Sequence, residues 1–183
     1  LVVGYLLIYL PSWRRDEMST SDNLMAAFAG ESQANRKYLA FAKRADADGF
    51  PQIARLFRAV AAAETVHAQA HFRVAGHVKD TVTNLQAAID GEHYEFTKMY
   101  PEFIAEAIAE SKKGAQTSFE RANKVEQTHH GLYAGALDAA KAGKDLPATD
   151  VYVCEVCGHT VVGEAPDECP VCGARREKFT RVD

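Results

Sequence analysis

Two short motifs in the middle of the chain and four cysteines near its C-terminal end carry the side chains best suited to binding metal. Glu64 is followed by His67 and Glu126 by His129, each pair three residues apart. On a helix this spacing is nearly one turn, so both side chains of a pair point the same way. Carboxylates neutralise cationic charge and can bridge two ions, and an imidazole adds a neutral nitrogen. One such pair says little, because surface helices carry many of them. Here the two pairs stand 62 residues apart, and each has Glu residues one helix upstream: Glu31 in the first copy, Glu92 with Glu95 in the second. The separation is 33 residues for Glu31–Glu64 and 34 for Glu92–Glu126. Without a cation, carboxylates buried this close together would repel one another and their pKa values would rise. A reading without metal must therefore leave them all exposed.

Cys154, Cys157, Cys169 and Cys172 form two Cys-x-x-Cys-Gly knuckles with eleven residues between them. Four thiolates suit a tetrahedral site for zinc or a single iron. Gly158 and Gly173 allow the turn by which backbone N–H groups point at sulfur. Spacing alone makes zinc the default ion. All four cysteines lie in the last thirty residues. A secreted, disulfide-stapled protein would spread them out, so reduced thiolates gathered around one metal in a cytoplasm are expected instead.

The elements that must carry these groups are helical from Ser21 to Ala142. The first helix follows the capping cluster at 19–23 and stops at Gly49. The second opens at Pro51 and runs to Gly76. The third runs from Thr83 to Gly114, with a kink expected at Pro101 or a break at Gly91. The fourth runs from Ala115 to Gly143. An internal repeat supports this division. Phe57 precedes Glu64 by seven residues as Phe119 precedes Glu126, and Tyr38 and Phe41 match Tyr100 and Phe103 at the offset of 62. Helices one and two thus read as a diverged copy of helices three and four. Two Glu-x-x-His pairs plus Glu from each of the other helices are the ligand pattern of ferritin-like di-iron carboxylate bundles. Tyr38 and Tyr100 share a face with Glu31 and Glu92. They are either core residues or hydroxyls bonded to a ligand carboxylate, and the repeat favours the second reading. His71 and His130 are read as supporting or surface residues. His77, His93 and His159 have no partner pattern.

The expected architecture is mainly α: a ferritin-like four-helix bundle over 18–144, a linker at 145–150, and a small metal-knuckle domain over 151–183 that needs its ion to hold together. Residues 1–17 are expected to be an extension outside the fold. Their apolar run, Leu1 to Leu10, falls short of the roughly 20 residues a spanning helix needs. A short membrane-associated anchor is the alternative. The net charge of -4 and the lack of a Lys/Arg block argue against nucleic acid as a partner. No Gly-x-Gly-x-x-Gly fingerprint is present, so a nicotinamide nucleotide is not expected to bind directly.

The knuckles, Tyr152-x-Cys154-x-x-Cys157-Gly158 and Cys169-Pro170-x-Cys172-Gly173, resemble rubredoxin. With AFAGESQANRKYLAFA, GEHYEFTKMYPEF and the two Glu-x-x-His pairs in this order, the sequence from about Asn23 onward resembles the rubrerythrin family. The resemblance implies a di-iron site held by Glu31, Glu64, His67, Glu92, Glu95, Glu126 and His129, with Tyr38 and Tyr100 beside it. It implies that the groups corresponding to Glu95 and His67 exchange at one iron with oxidation state. It also implies one iron on Cys154, Cys157, Cys169 and Cys172, where zinc could be misloaded. The function implied is a peroxidase that reduces hydrogen peroxide to water, re-reduced through the cysteine-bound iron by an external NAD(P)H-dependent reductase or rubredoxin. The implied setting is a cytoplasmic homodimer or higher homo-oligomer, without a membrane partner. The rival readings are a ferroxidase or iron-handling protein of the ferritin-like class, and a zinc-stabilised structural module.

Overall fold

The computed structural model describes residues 19–183, so the expectation for residues 1–17 lies outside the described residues. The chain divides into two compact units, one ending at Val78 and the other spanning Lys79–Asp183.

The first unit is a hairpin of α1 (Thr20–Ala47) and α2 (Pro51–Val74). Ser19 starts α1 with a capping box. The Asp22 N–H donates to its hydroxyl at 3.2 Å and the Ser19 N–H donates to the Asp22 carboxylate at 2.8 Å, which satisfies two otherwise orphaned donors. The hydroxyl and amide of Ser19 hold the Asp22 carboxyl below its usual range. After α1, Gly49 takes φ 82°, and Pro51 supplies the first turn of α2, where its missing N–H costs nothing. Small residues set the helix–helix contact: Ala42, Ala45 and Ala54 form a buried cluster against Phe57. Buried among the helices, Asn35 donates from Nδ2 to the Ala61 carbonyl at 2.6 Å and to the Thr65 hydroxyl at 2.8 Å.

In the second unit, α3 (Thr81–Tyr94), a π-helical segment (Glu95–Met99) and α4 (Tyr100–Ala109) follow one another without a break and pack on α5 (Lys113–Lys141). Asp80 caps α3 by accepting from the Thr83 N–H at 3.0 Å. The expected irregularity in this helix falls at neither Gly91, which lies inside α3, nor Pro101 itself. It is the π segment, closed by a Tyr100 N–H to Glu95 carbonyl bond. The bulge sits just before Pro101, whose ring fits the first turn of α4. A second difference concerns Gly114. Ser111 takes the positive φ of 58° that ends the turn after α4, so Gly114 falls in the first turn of α5 and does not close a helix.

Beyond α5 and Gly143 the chain enters a three-stranded antiparallel sheet of β1 (Val151–Cys154), β2 (Thr160–Val162) and β3 (Phe179–Val182), in the order β2-β1-β3. Val153 pairs with Thr160 on one side and Thr180 on the other. The expected class, mainly α with a small C-terminal knuckle, is what the chain adopts.

The repeat survives in three dimensions. In the first unit Tyr38 lies 6.2 Å from Phe57 and 6.3 Å from Phe41, with Phe41 5.7 Å from Phe57. In the second unit Tyr100 lies 6.3 Å from both Phe119 and Phe103, with Phe103 5.5 Å from Phe119. Matching ring triangles show that the offset of 62 residues is a structural duplication.

Candidate metal centres

Each unit gathers one carboxylate–imidazole triad. In the first, Glu31 of α1 meets Glu64 and His67 of α2. In the second, Glu92 of α3 meets Glu126 and His129 of α5. Within each triad one donor atom per residue lies within 4.8 Å of the others. His67 Nδ1 is 2.9 Å from Glu64 Oε2. His129 Nδ1 is 2.7 Å from Glu126 Oε2 and 3.9 Å from Glu92 Oε1. The pairing on one helix follows from the three-residue spacing, and the third member comes from the upstream helix of the same hairpin.

Glu95 opens the π segment and belongs to neither triad, yet it feels the second one. Burial, then the Glu92 charge, raises its pKa, against a lowering effect of His129. The Glu92 carboxyl is likewise raised, by burial first and by Glu126 second. Burial and neighbouring negative charge both disfavour the charged form of these carboxyls, and a bound cation would offset both effects. Hard oxygen donors with one imidazole per triad fit iron. The Tyr100 phenol is also raised, by burial and then by Glu95, Glu126 and Glu92, so its hydroxyl keeps its proton beside these carboxylates.

The expected hydroxyl–carboxylate bonds of Tyr38 and Tyr100 are not formed among the described residues, and both rings pack against phenylalanines instead. The remaining histidines are spread around the fold. His130 packs with His93 at 5.6 Å and Phe96 at 5.5 Å, and His77 stacks on Phe72 at 5.3 Å. Sequence reasoning missed Thr160, whose hydroxyl sits 2.9 Å from His129 Nε2. No periodicity links these two residues. It also missed the π segment, although Glu31 and Tyr38 are seven residues apart where Glu92 and Tyr100 are eight. That one extra residue is what the bulge absorbs.

The four cysteines form a separate cluster. Cys154 and Cys172 bring their sulfurs to 3.7 Å, and Cys157 and Cys169 to 3.6 Å. A tetrahedral ion with bonds of about 2.3 Å would space its thiolates by about 3.8 Å, whereas a disulfide needs about 2.0 Å. The geometry therefore fits one ion, and all four thiols are free. Gly158 at φ 85° and Gly173 at φ 72° turn the knuckles. Burial raises the Cys157 and Cys172 thiols, while burial of Cys169 is outweighed by amide donors from Cys172 and Val171, which bring its thiol below the usual value. A bound cation would hold all four as thiolates.

A family model described as rubrerythrin matches residues 22–137, and one described as the rubredoxin-like domain of rubrerythrin matches residues 152–180. Rubrerythrin-2 of Clostridium acetobutylicum is 38% identical over 174 residues, covering 87% of this chain and 95% of its own. Nigerythrin of Nitratidesulfovibrio vulgaris is 38% identical over 176 residues, covering 88% and 86%. A solved structure of nigerythrin in a mixed-valence state shares 36% identity at a TM-score of 0.54, covering 90% of this chain and 87% of that one.

Proposed function

This chain belongs to the rubrerythrin family of di-iron proteins with a rubredoxin-like four-cysteine site, and from that premise we propose that it is a non-haem peroxidase reducing hydrogen peroxide to water. The reading extends to the ligands: Glu31, Glu64, His67, Glu92, Glu95, Glu126 and His129 for the di-iron site, and Cys154, Cys157, Cys169 and Cys172 for the single iron. Bound there, a di-iron pair would supply the two electrons that cleavage of the O–O bond consumes, and an iron on the four cysteines would supply one-electron re-reduction.

The chain's own residues have clear tasks in this scheme. The glutamates offset the cations' charge and the two imidazoles give each triad a neutral nitrogen donor. Glu95, which opens the π segment beside the second triad, would add a further carboxylate to offset the cations' charge. Tyr100 keeps its phenolic proton for the same region. The amides at sulfur offset thiolate charge in the knuckle.

The observation that carries the reading is the duplicated carboxylate–imidazole triad in a chain that also holds four thiols at tetrahedral spacing. A storage protein has no need of such an electron inlet. Electrons are proposed to come from an external NAD(P)H-dependent reductase or a rubredoxin. No helix among the described residues is long and apolar enough to cross a membrane, and a cytoplasmic setting belongs to the same proposal. So does a homodimer or higher oligomer, since α2 exposes Leu56, Val66 and Val74, apolar surface that a second copy would cover. The division into a helical part over 18–144, a linker over 145–150 and a knuckle domain over 151–183 is retained as part of the proposal.

The test is anaerobic metal analysis joined to turnover with a supplied reductase. The proposal expects three irons per chain and oxidation by peroxide much faster than by oxygen. Zinc in place of iron at both sites, or ferrous oxidation and retention without peroxide turnover, would replace it.

A further inference from the structure

The loop between the first knuckle and β2 lies against α5 in the second unit. Gly158 sits so close that a Cβ there would stand 3.9 Å from Cγ1 of the buried Val125. The β1–β2 register, with Val153 opposite Thr160 and the Cys154 N–H donating to the His159 carbonyl at 2.9 Å, fixes where the Thr160 side chain starts. Its hydroxyl then makes two contacts: 3.2 Å to the Gly158 carbonyl and 2.9 Å to His129 Nε2.

A hydroxyl has one proton to give, and a carbonyl oxygen only accepts. The Thr160 proton therefore goes to Gly158, and Thr160 must accept from His129 Nε2–H. This decides the state of the other ring nitrogen. Nδ1, which faces Glu126 Oε2 at 2.7 Å and Glu92 Oε1 at 3.9 Å, is left to present its lone pair to the space where those carboxylates converge. Nδ1 and the carboxylate oxygens then offer only lone pairs to one another, and a shared proton or a cation bound by both joins them.

We propose that Thr160 is a positioning residue for the metal centre of the second unit: by accepting from His129 Nε2–H it fixes the ring's tautomer and orientation so that Nδ1 is the ligand atom. The inference rests on the di-iron reading of this triad but not on the peroxidase activity. It also gives the knuckle a second role. The residue that follows Cys157 accepts from the hydroxyl that steadies His129, so the seating of the cysteine site and the aim of the imidazole are mechanically joined in one chain. Partners of a ligating imidazole are worth about tenfold to a hundredfold in metal affinity when removed.

The full-length protein tests this with Thr160→Val, which keeps the branched shape and loses the hydroxyl, and Thr160→Ser, which keeps the hydroxyl. With diamagnetic zinc in all sites, the His129 Nε2–H proton should be visible by NMR and slow to exchange in the wild type. It should exchange faster in T160V and recover in T160S. Anaerobic ferrous titration should show the irons outside the cysteine site bound about tenfold or more weakly in T160V and near wild type in T160S. Unchanged exchange and affinity in T160V would overturn the proposal, as would T160S behaving like T160V. A wild-type protein that binds iron but reduces no peroxide would end the peroxidase reading while leaving the Thr160 result standing.

Discussion

The two hairpins carry the same triad and the same aromatic triangle, yet they hold their histidines differently. His67 in the first unit has a half-exposed ring, 55% accessible, and bonds only through Nδ1 to Glu64 among the described residues. His129 in the second is 25% accessible, with the Thr160 hydroxyl 2.9 Å from Nε2 and Glu126 Oε2 2.7 Å from Nδ1. The second half also has one residue more between its upstream Glu and its Tyr, spent on a π segment that begins with Glu95. The first half has the buried Asn35 bridging its helices instead. Duplication has kept the triads and the aromatic rings and changed what surrounds them. One imidazole is pinned and the other is left loose, and the added carboxylate stands on the pinned side.

The comparison can be broken most directly at the shared residues. Glu64→Ala and Glu126→Ala should each remove iron from the di-iron site and cut peroxide turnover by more than about a hundredfold, beyond the usual effect of losing a ligand's supporting partner. The visible bands of the cysteine-bound iron should persist. Full turnover in either variant would show that the half it belongs to is not a ligand set. Replacing Cys169 and Cys172 together with serine should instead unfold residues 151–183 and stop reductase-driven turnover, with the helical circular dichroism retained.

Finer changes sharpen the difference between the halves. Deleting Lys98 gives the second half the seven-residue spacing of the first. It should abolish the π turn and displace Glu95, lowering turnover about tenfold or more while iron still binds. Asn35→Ala should destabilise the first unit by about 1–3 kcal/mol, the usual cost of losing a buried polar bridge, with little effect on the second. Chemical denaturation followed by amide exchange in each unit would report this.

The smallest effect is on pH. Glu92 and Glu95 have raised pKa values in the folded metal-free protein, so between the unfolded carboxylate value of about 4.3 and their folded values the native state binds more protons than the unfolded one. Their contribution to stability therefore falls as pH rises through that window. The melting temperature of the metal-free protein should decline across it. Iron loading should reverse the trend, because metal competes with those protons.

Much of this could be read from the chain alone, and the limits have physical causes. Glu-x-x-His, the offset of 62 and the paired knuckles are local patterns, and local patterns survive into structure because a helix or a turn fixes them. The Thr160–His129 contact joins residues 31 apart through a linker, where no periodicity applies. The π segment was encoded in a count of eight against seven, but Pro101 and Gly91 drew the expected irregularity to themselves. Gly114 suggested a helix end because glycine suits positive φ, and Ser111 adopted that conformation in its place.

Two like triads are proposed to hold a pair of irons, with one histidine fixed and the other free. Crystal structures of the iron-loaded protein in its oxidised and reduced states test it most directly. Two irons are expected among Glu31, Glu64, His67, Glu92, Glu95, Glu126 and His129, with His67 and Glu95 changing places between states and His129 bonded to Thr160 in both. Irons absent from these residues, or a His129 that leaves Thr160 while His67 stays fixed, would contradict it.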